Sequence, residues 1–273
     1  RLLVAGETCW RDERAEQFAC IVDGADYFRH CKAAMLRAQR RIVLIGWDFD
    51  TRLTFEPAGK TLQGPNQLGP FLRWLIRVRP RLEVYLLRSN LRILPAFDGL
   101  WGDVTPVALL NWITSERLQF AIDGEHPTGA VHHQKIVVID DALALGGGID
   151  LTSERWDTRE HLDDNEFRKG GDRVYGPRHE VATAMDGAAA RALGDTARVR
   201  LRIATGQYLA QVVPEEAIWP PGLEPMMRNV DVGIARTLPE LTKRSEVREV
   251  EALNLAAIAA ARAGPSCAWP NST

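Results

Sequence analysis

The chain has 273 residues, 45% of them hydrophobic and 26% charged, the proportions of an ordinary globular protein. Its 34 Lys plus Arg against 36 Asp plus Glu leave a formal net charge of -2, which argues against a molecule built chiefly to grip nucleic-acid backbone, although a local basic patch stays compatible. No apolar run approaches the ~20 residues of a membrane span.

No secretory leader opens the sequence, so a cytoplasmic or membrane-peripheral location is expected, and a start at Arg1 rather than Met suggests residues in front. Cys9, Cys20, Cys31 and Cys267 form no CxxC pair, so a zinc site is not expected, and the acidic loop Asp157–Asp164 has no recognisable ligand spacing for another metal or cofactor.

In chain order, Asp26–Arg40 carries Phe28, Cys31, Ala34, Met35 and Ala38 at helical spacing. The branched run Arg41–Trp47 then reads as a buried strand. The pattern repeats with a helix over Gln67–Arg79, Pro70 in its first turn, and a strand over Leu82–Leu87. Proline and turn residues mark Leu91–Asp103 as a loop, followed by a short helix over Val107–Trp112 and a strand over Arg117–Ile122. Two closely spaced strands, Gln134–Ile139 and Ala142–Leu145, are joined by an Asp140-Asp141 turn. The polar stretch Thr152–Gly176 reads as a solvated surface loop. A strand at His179–Met185, a helix over Gly187–Ile203, a short strand at Val230–Ala235 and a helix over Val247–Arg262 complete the chain. Alternating helices and strands with one hairpin predict an α/β fold, an α-β-α sandwich around a mixed β-sheet.

The chemistry concentrates in His133-Gln134-Lys135, at the start of an apolar strand that ends at Asp140 and is followed by Gly147-Gly148. Side chains in a strand alternate faces, so His133 and Lys135 point the same way. Imidazole beside ammonium is a poor structural pair, since neither neutralises the other. It suits an anion: Lys135 holds a non-bridging phosphate oxygen while the imidazole attacks phosphorus. Gly147 and Gly148 permit close backbone approach near the phosphate. Asp140 has the opposite parity to His133, so fixing the turn is its expected contribution. A carboxylate at Asp150 would repel phosphate unless protonated, bridged or turned away.

The HxK-x4-D-x6-GG spacing resembles the signature of the phospholipase D superfamily. Gly147-Gly148-Ile149-Asp150-Leu151 and Arg155-Trp156-Asp157 are similar to its phospholipase branch, whereas small nucleases of the superfamily have Gly-Ser-x-Asn there. His126-Pro127-Thr128-Gly129-Ala130, Thr8-Cys9-Trp10 and Ile45-Gly46-Trp47-Asp48 are similar to bacterial members. The resemblance implies His133 as a nucleophile that forms phosphohistidine, Lys135 as the phosphate ligand, and no obligatory metal. Relatives place an acid that orients the nucleophile in a segment like Pro-Trp-His-Asp-Val. This chain has Pro177-Arg178-His179-Glu180-Val181, so Glu180 is the candidate, with Arg178 and Glu180 both departing from the pattern.

Hydrolysis of this kind also needs a general acid for the leaving alcohol, which relatives take from a second HxK motif. None of His30, His126, His132, His161 or His179 begins one. Residues 1–262 therefore read as one half-domain, with Ala263–Thr273 an irregular tail where the sequence has been interrupted. Glu249–Arg262 is similar to the helix that opens the second half in two-motif relatives. Pairing of two copies, as in single-motif nucleases, is the second reading, and a phosphate- or lipid-binding remnant the third. The expected partners are a phospholipid, a membrane surface and a second half or second copy. The expected activity is cleavage or transfer of phospholipid headgroups, with nuclease activity disfavoured by the glycine flank and the net charge.

Overall fold

Arg41–Gly46 presents aliphatic side chains to both faces, and from Ile42 onward every residue is buried, so the segment must sit inside a sheet. The computed structural model describes residues 2–89, 115–127, 130–170, 173–241 and 244–261. The loop and short helix expected within 91–112, the flank residues Thr128 and Gly129, and the tail 263–273 lie outside these.

The chain divides into two units, Arg14–Val230 and a smaller one made of Arg1–Glu13 with Asp231–Thr273. In chain order the elements are β1 (Arg11–Val22), α1 (Gly24–Met35), β2 (Arg41–Gly46), α2 (Leu68–Val78), β3 (Glu83–Ser89) and β4 (Leu118–Asp123). After these come β5 (Ile136–Ile139), β6 (Leu143–Gly147), β7 (Lys169–Gly170), β8 (Arg173–Val174), β9 (Val181–Asp186) and α3 (Gly187–Thr205). β10 (Met227–Ile234), β11 (Thr237–Leu238), β12 (Val247–Arg248) and α4 (Glu249–Ala260) follow.

The larger unit is built on a mixed sheet in the order β1-β9-β6-β5-β2-β3-β4. β2, β3 and β4 are parallel, with Leu44 opposite Leu86 and Leu86 opposite Phe120. β5 enters antiparallel to β2, with Ile45 opposite Ile136, and β6, β9 and β1 continue antiparallel. Alternation then assigns the faces. Ile42, Leu44, Val84, Leu86, Val137, Ile139, Leu143 and Leu145 form one core with Phe28, Cys31 and Met35 of α1 and Phe71, Leu72 and Leu75 of α2. The opposite face buries Val43, Ile45, Val138 and Ala144. There α3, small-faced through Ala189, Ala190, Ala192 and Ala197, lies across β4, β5, β6 and β9. Helices therefore cover both faces of a mixed sheet, as expected for the α/β class.

In the smaller unit β11 and β12 pair antiparallel, and Glu249 at the start of α4 accepts three hydrogen bonds from Arg236. Trp10 is flanked by the guanidinium groups of Arg11 and Arg236, at 4.2 and 4.6 Å from the ring centroid. No described helix is long and apolar enough to cross a membrane.

Strand boundaries shift slightly from expectation: β5 begins at Ile136, and β6 runs on to Gly147. β1 escapes a periodicity reading because its first half is charged and only Ala15, Ala19 and Ile21 are buried. The β5–β6 turn has φ 50° at Asp140 and 53° at Asp141, the left-handed pair of a tight two-residue hairpin. Asp140 is 1% exposed, and its carboxylate accepts the amides of Gln39 (2.6 Å), Arg40 (2.8 Å) and Arg41 (2.6 Å) just before β2. Removing that acceptor strands three half-buried donors at once, so Asp140→Ala should lower unfolding free energy by about 3 kcal/mol. Urea denaturation at neutral pH measures this, and a loss under about 1 kcal/mol would contradict the assigned role.

Candidate active site

Because β5 runs opposite to β2, the residues before β5 arrive at the carboxyl ends of β2 and β3. Ligands commonly bind at such strand ends in α/β sheets. His133 is exposed there, and Lys135 is 6% exposed. Lys135 Nζ lies 3.0 Å from His133 Nε2. An ammonium has protons and no lone pair, so Nε2 must be the acceptor and the ring proton sits on Nδ1. The pair therefore holds a neutral imidazole with its Nε2 lone pair directed toward the cation. The His133 ring also lies 5.9 Å from that of Trp47, just past β2.

Lys135 Nζ is also 3.2 Å from Asp150 Oδ2, and both side chains are buried. Asp150 Oδ1 accepts the Trp47 amide at 3.2 Å. Of the three ways a carboxylate could be tolerated here, the structure shows bridging: Asp150 is the counter-ion of the lysine. Sequence reasoning gave Asp150 no role, and only its position two residues after the glycine pair could have signalled one.

The segment leading to His133 is fixed by a second network. His132 is 8% exposed; its amide donates to Ser89 Oγ (2.9 Å) and its Nε2 lies 3.4 Å from Asp123 Oδ1. Arg200 of α3 donates to Asp123 Oδ2 through Nε (3.0 Å) and one terminal nitrogen (2.8 Å), and through the other to Gln134 Oε1 (2.8 Å). The His126 and His132 rings meet edge to face at 5.3 Å. Burial pushes the Asp123 carboxyl upward, but the His132 hydrogen bond, the Arg200 charge and the Glu125 amide outweigh it and hold it well below the usual range. Burial in turn lowers Arg200, against the pull of Asp123. His132 is thus a buried structural neighbour while His133 faces solvent.

Glu180 precedes β9, and its Oε1 accepts from Arg155 at 3.3 Å. Among the described residues it makes no hydrogen bond to His133; its Oε2 is buried and unbonded. Gly147 and Gly148 lie on the same rim, with different constraints. A Cβ on Gly147 would stand 2.5 Å from Ala182 Cα and Val181 O, so its smallness serves the β6–β9 approach. A Cβ on Gly148 would have ordinary contacts, 3.8 Å from Val181 O and 3.9 Å from Glu180 Oε1. No second histidine contacts His133 among the described residues: His161 and His179 instead surround Asp23.

The sequence is similar to those of known proteins. The chain is 29% identical over 144 residues to phospholipase D1 of Saccharomyces cerevisiae, covering 52% of this chain and 8% of that protein. It is 27% identical over 180 residues to human phospholipase D1, covering 57% of this chain and 15% of that one. These similarities support assignment to the phospholipase D superfamily. It spans only a small part of the length of these phospholipase D relatives. No family model matches the chain. Among solved structures it is similar to Nuc, a phospholipase D family member from Salmonella typhimurium, at 13% identity and TM-score 0.42, over 69% of this chain and 97% of that one.

Two outcomes follow. Gly147→Ala should cost about 1–3 kcal/mol through the β6–β9 clash, and Gly148→Ala much less; unequal thermal unfolding of the two variants checks this. Asp123 has a depressed folded-state value, so its stabilisation is complete above the unfolded aspartate value of about 3.9 and is lost as pH falls through the folded one. The stability gap between wild type and Asp123→Asn, from urea midpoints across acid pH, should therefore be largest near neutrality and shrink on acidification. A gap that widens would contradict the network.

Proposed function

We propose that this chain supplies one half of a phosphodiesterase site that cleaves or transfers phospholipid headgroups, with His133 as nucleophile. The observation that carries the reading is the 3.0 Å approach of buried Lys135 to His133 Nε2, which orients a neutral imidazole lone pair beside a fixed cation. A phosphodiester oxygen drawn to Lys135 brings phosphorus within reach of Nε2. The Nε2–P bond forms as the bond from phosphorus to the leaving alcohol breaks, giving phosphohistidine, and Lys135 offsets charge on the non-bridging oxygens. Water, or an acceptor alcohol, then attacks phosphorus and releases His133.

The leaving alcohol must gain a proton, which this reading assigns to a histidine from a second HxK half or a second copy of the chain. Glu180, on the same rim, is the acid assigned to orient the Nδ1 side of His133, exchanging Arg155 for the ring when substrate binds. The bacterial two-motif branch remains the preferred placement, and the working location is the surface of a membrane.

A p-nitrophenyl phosphodiester of choline tests the half-site directly, since nitrophenolate departs without a general acid. The full chain should release nitrophenolate in a burst and retain acid-labile phosphate on His133. His133→Ala should remove the burst, and Lys135→Ala should slow it by about 10²–10³-fold. Turnover of phosphatidylcholine or phosphatidylglycerol vesicles should appear only with dimerisation or an added second half. A burst that survives His133→Ala overturns the mechanism, and cleavage of DNA but not lipid moves the substrate to nucleic acid.

A further inference from the structure

Asp23 directly follows β1 and extends its ladder with β9: its amide donates to Glu180 O at 2.8 Å. Two histidines close around its side chain. His161, from the polar loop, places Nε2 at 3.2 Å from Asp23 Oδ2, and His179 places Nδ1 at 3.0 Å from Asp23 Oδ1. One donor atom from each of the three residues lies within 4.8 Å of the others. The rings of His161 and His179 stand almost perpendicular at 5.3 Å.

The hydrogen-bond roles are what make this more than a cluster. His161 Nδ1 lies 3.1 Å from Asp157 Oδ2, a carboxylate with no proton to give, so Nδ1 carries the hydrogen. In the neutral ring, Nε2 then turns a lone pair toward Asp23. Asp23 is 1% exposed; its Oδ1 accepts the Glu180 amide at 3.0 Å, while its Oδ2 has no hydrogen-bond donor. A buried carboxylate oxygen without a donor, facing an imidazole lone pair, is costly unless a cation stands between them.

We propose that Asp23, His161 and His179 form a binding site for a divalent transition-metal ion of the zinc type. Two imidazole nitrogens and one carboxylate oxygen suit zinc, with water in a fourth position on the side of exposed His179. Calcium and magnesium, which prefer oxygen ligands throughout, fit the set poorly. Asp157 supplies the outer hydrogen bond that orients a metal-bound histidine, and is itself fixed by Arg168 and by the Thr158 and Arg178 amides. Ligands at 23, 161 and 179 follow no motif spacing, which explains why the linear sequence pointed to no metal. The ion would join the start of α1, the polar loop and the approach to β9, a structural role separate from the His133 chemistry.

The test uses untagged full chain, stripped with chelator and titrated with zinc sulfate, reading affinity by competition with a chromophoric chelator and stability by thermal unfolding. Wild type should bind one equivalent of zinc and unfold at a higher temperature with it, while calcium chloride gives neither effect. His179→Ala changes an exposed side chain and should keep the apo fold by circular dichroism; with His161→Ala it should weaken zinc binding by more than about 100-fold, beyond the usual effect of an outer-sphere partner. No zinc binding to wild type overturns the site. Equal zinc affinity in wild type and both variants overturns it as well.

Discussion

The carboxylate of Asp140 accepts three consecutive amides, from Gln39 to Arg41, and so ties the end of β5 to the entrance of β2. β5 has only four residues, so pinning one end sets the whole register, with Ile139 opposite Ile42 and Ile136 opposite Ile45. A slip by one residue would turn its core-facing side chains to the other face. It would also carry Lys135 away from Asp150, whose position depends on the Trp47 amide at the other end of β2. The aspartate of the signature thus governs the reactive end of the strand from the opposite end, and it does so without touching the site.

At the reactive end the lysine is shared. A buried ammonium needs a counter-charge, and Asp150 provides it. Lys135 also contacts His133 Nε2. In the proposed reaction the cation therefore has two successive tasks, orienting the attacking nitrogen and then meeting charge on phosphate. In that proposed reaction Asp150 would not repel phosphate, because its charge is already paired with Lys135. The adjacent Asp123–His132–Arg200 network performs a separate task. It buries His132 and anchors Gln134 to α3, so the chain enters β5 in one direction and His133 is left on the solvent side.

Much of this was legible from residue patterns. Branched runs located β2, β3 and β5, helical spacing located α1 and α2, and Asp140-Asp141 marked the hairpin. All are local signals, read within one element. What escaped was non-local. The partner of Lys135 lies fifteen positions away, across a turn and a strand, and nothing in the signature marks Asp150 as a counter-ion. β1 was hidden because its charged first half masks a buried stripe of small residues. The segment Thr152–Gly176 is a partial reversal: read as solvated loop and mostly exposed or half-buried, it also contains buried Arg168 and Asp157, at 1% and 0% exposure.

That reversal bears on Glu180. Charged groups can be buried when their hydrogen bonds are supplied together, and Arg168 donates to the Leu162 and Asp163 carbonyls as well as to Asp157. Asp157 in turn accepts the Arg178 amide at 2.8 Å, fixing the chain two residues before Glu180. Asp23 accepts the Glu180 amide itself. Thus the backbone of Glu180, which lies outside β9, is held by a polar core inside the loop and by the end of β1. Its side chain is held more lightly, by one 3.3 Å bond from half-buried Arg155. A firmly seated backbone with a lightly held carboxylate is what the proposed exchange of Arg155 for the His133 ring requires of Glu180.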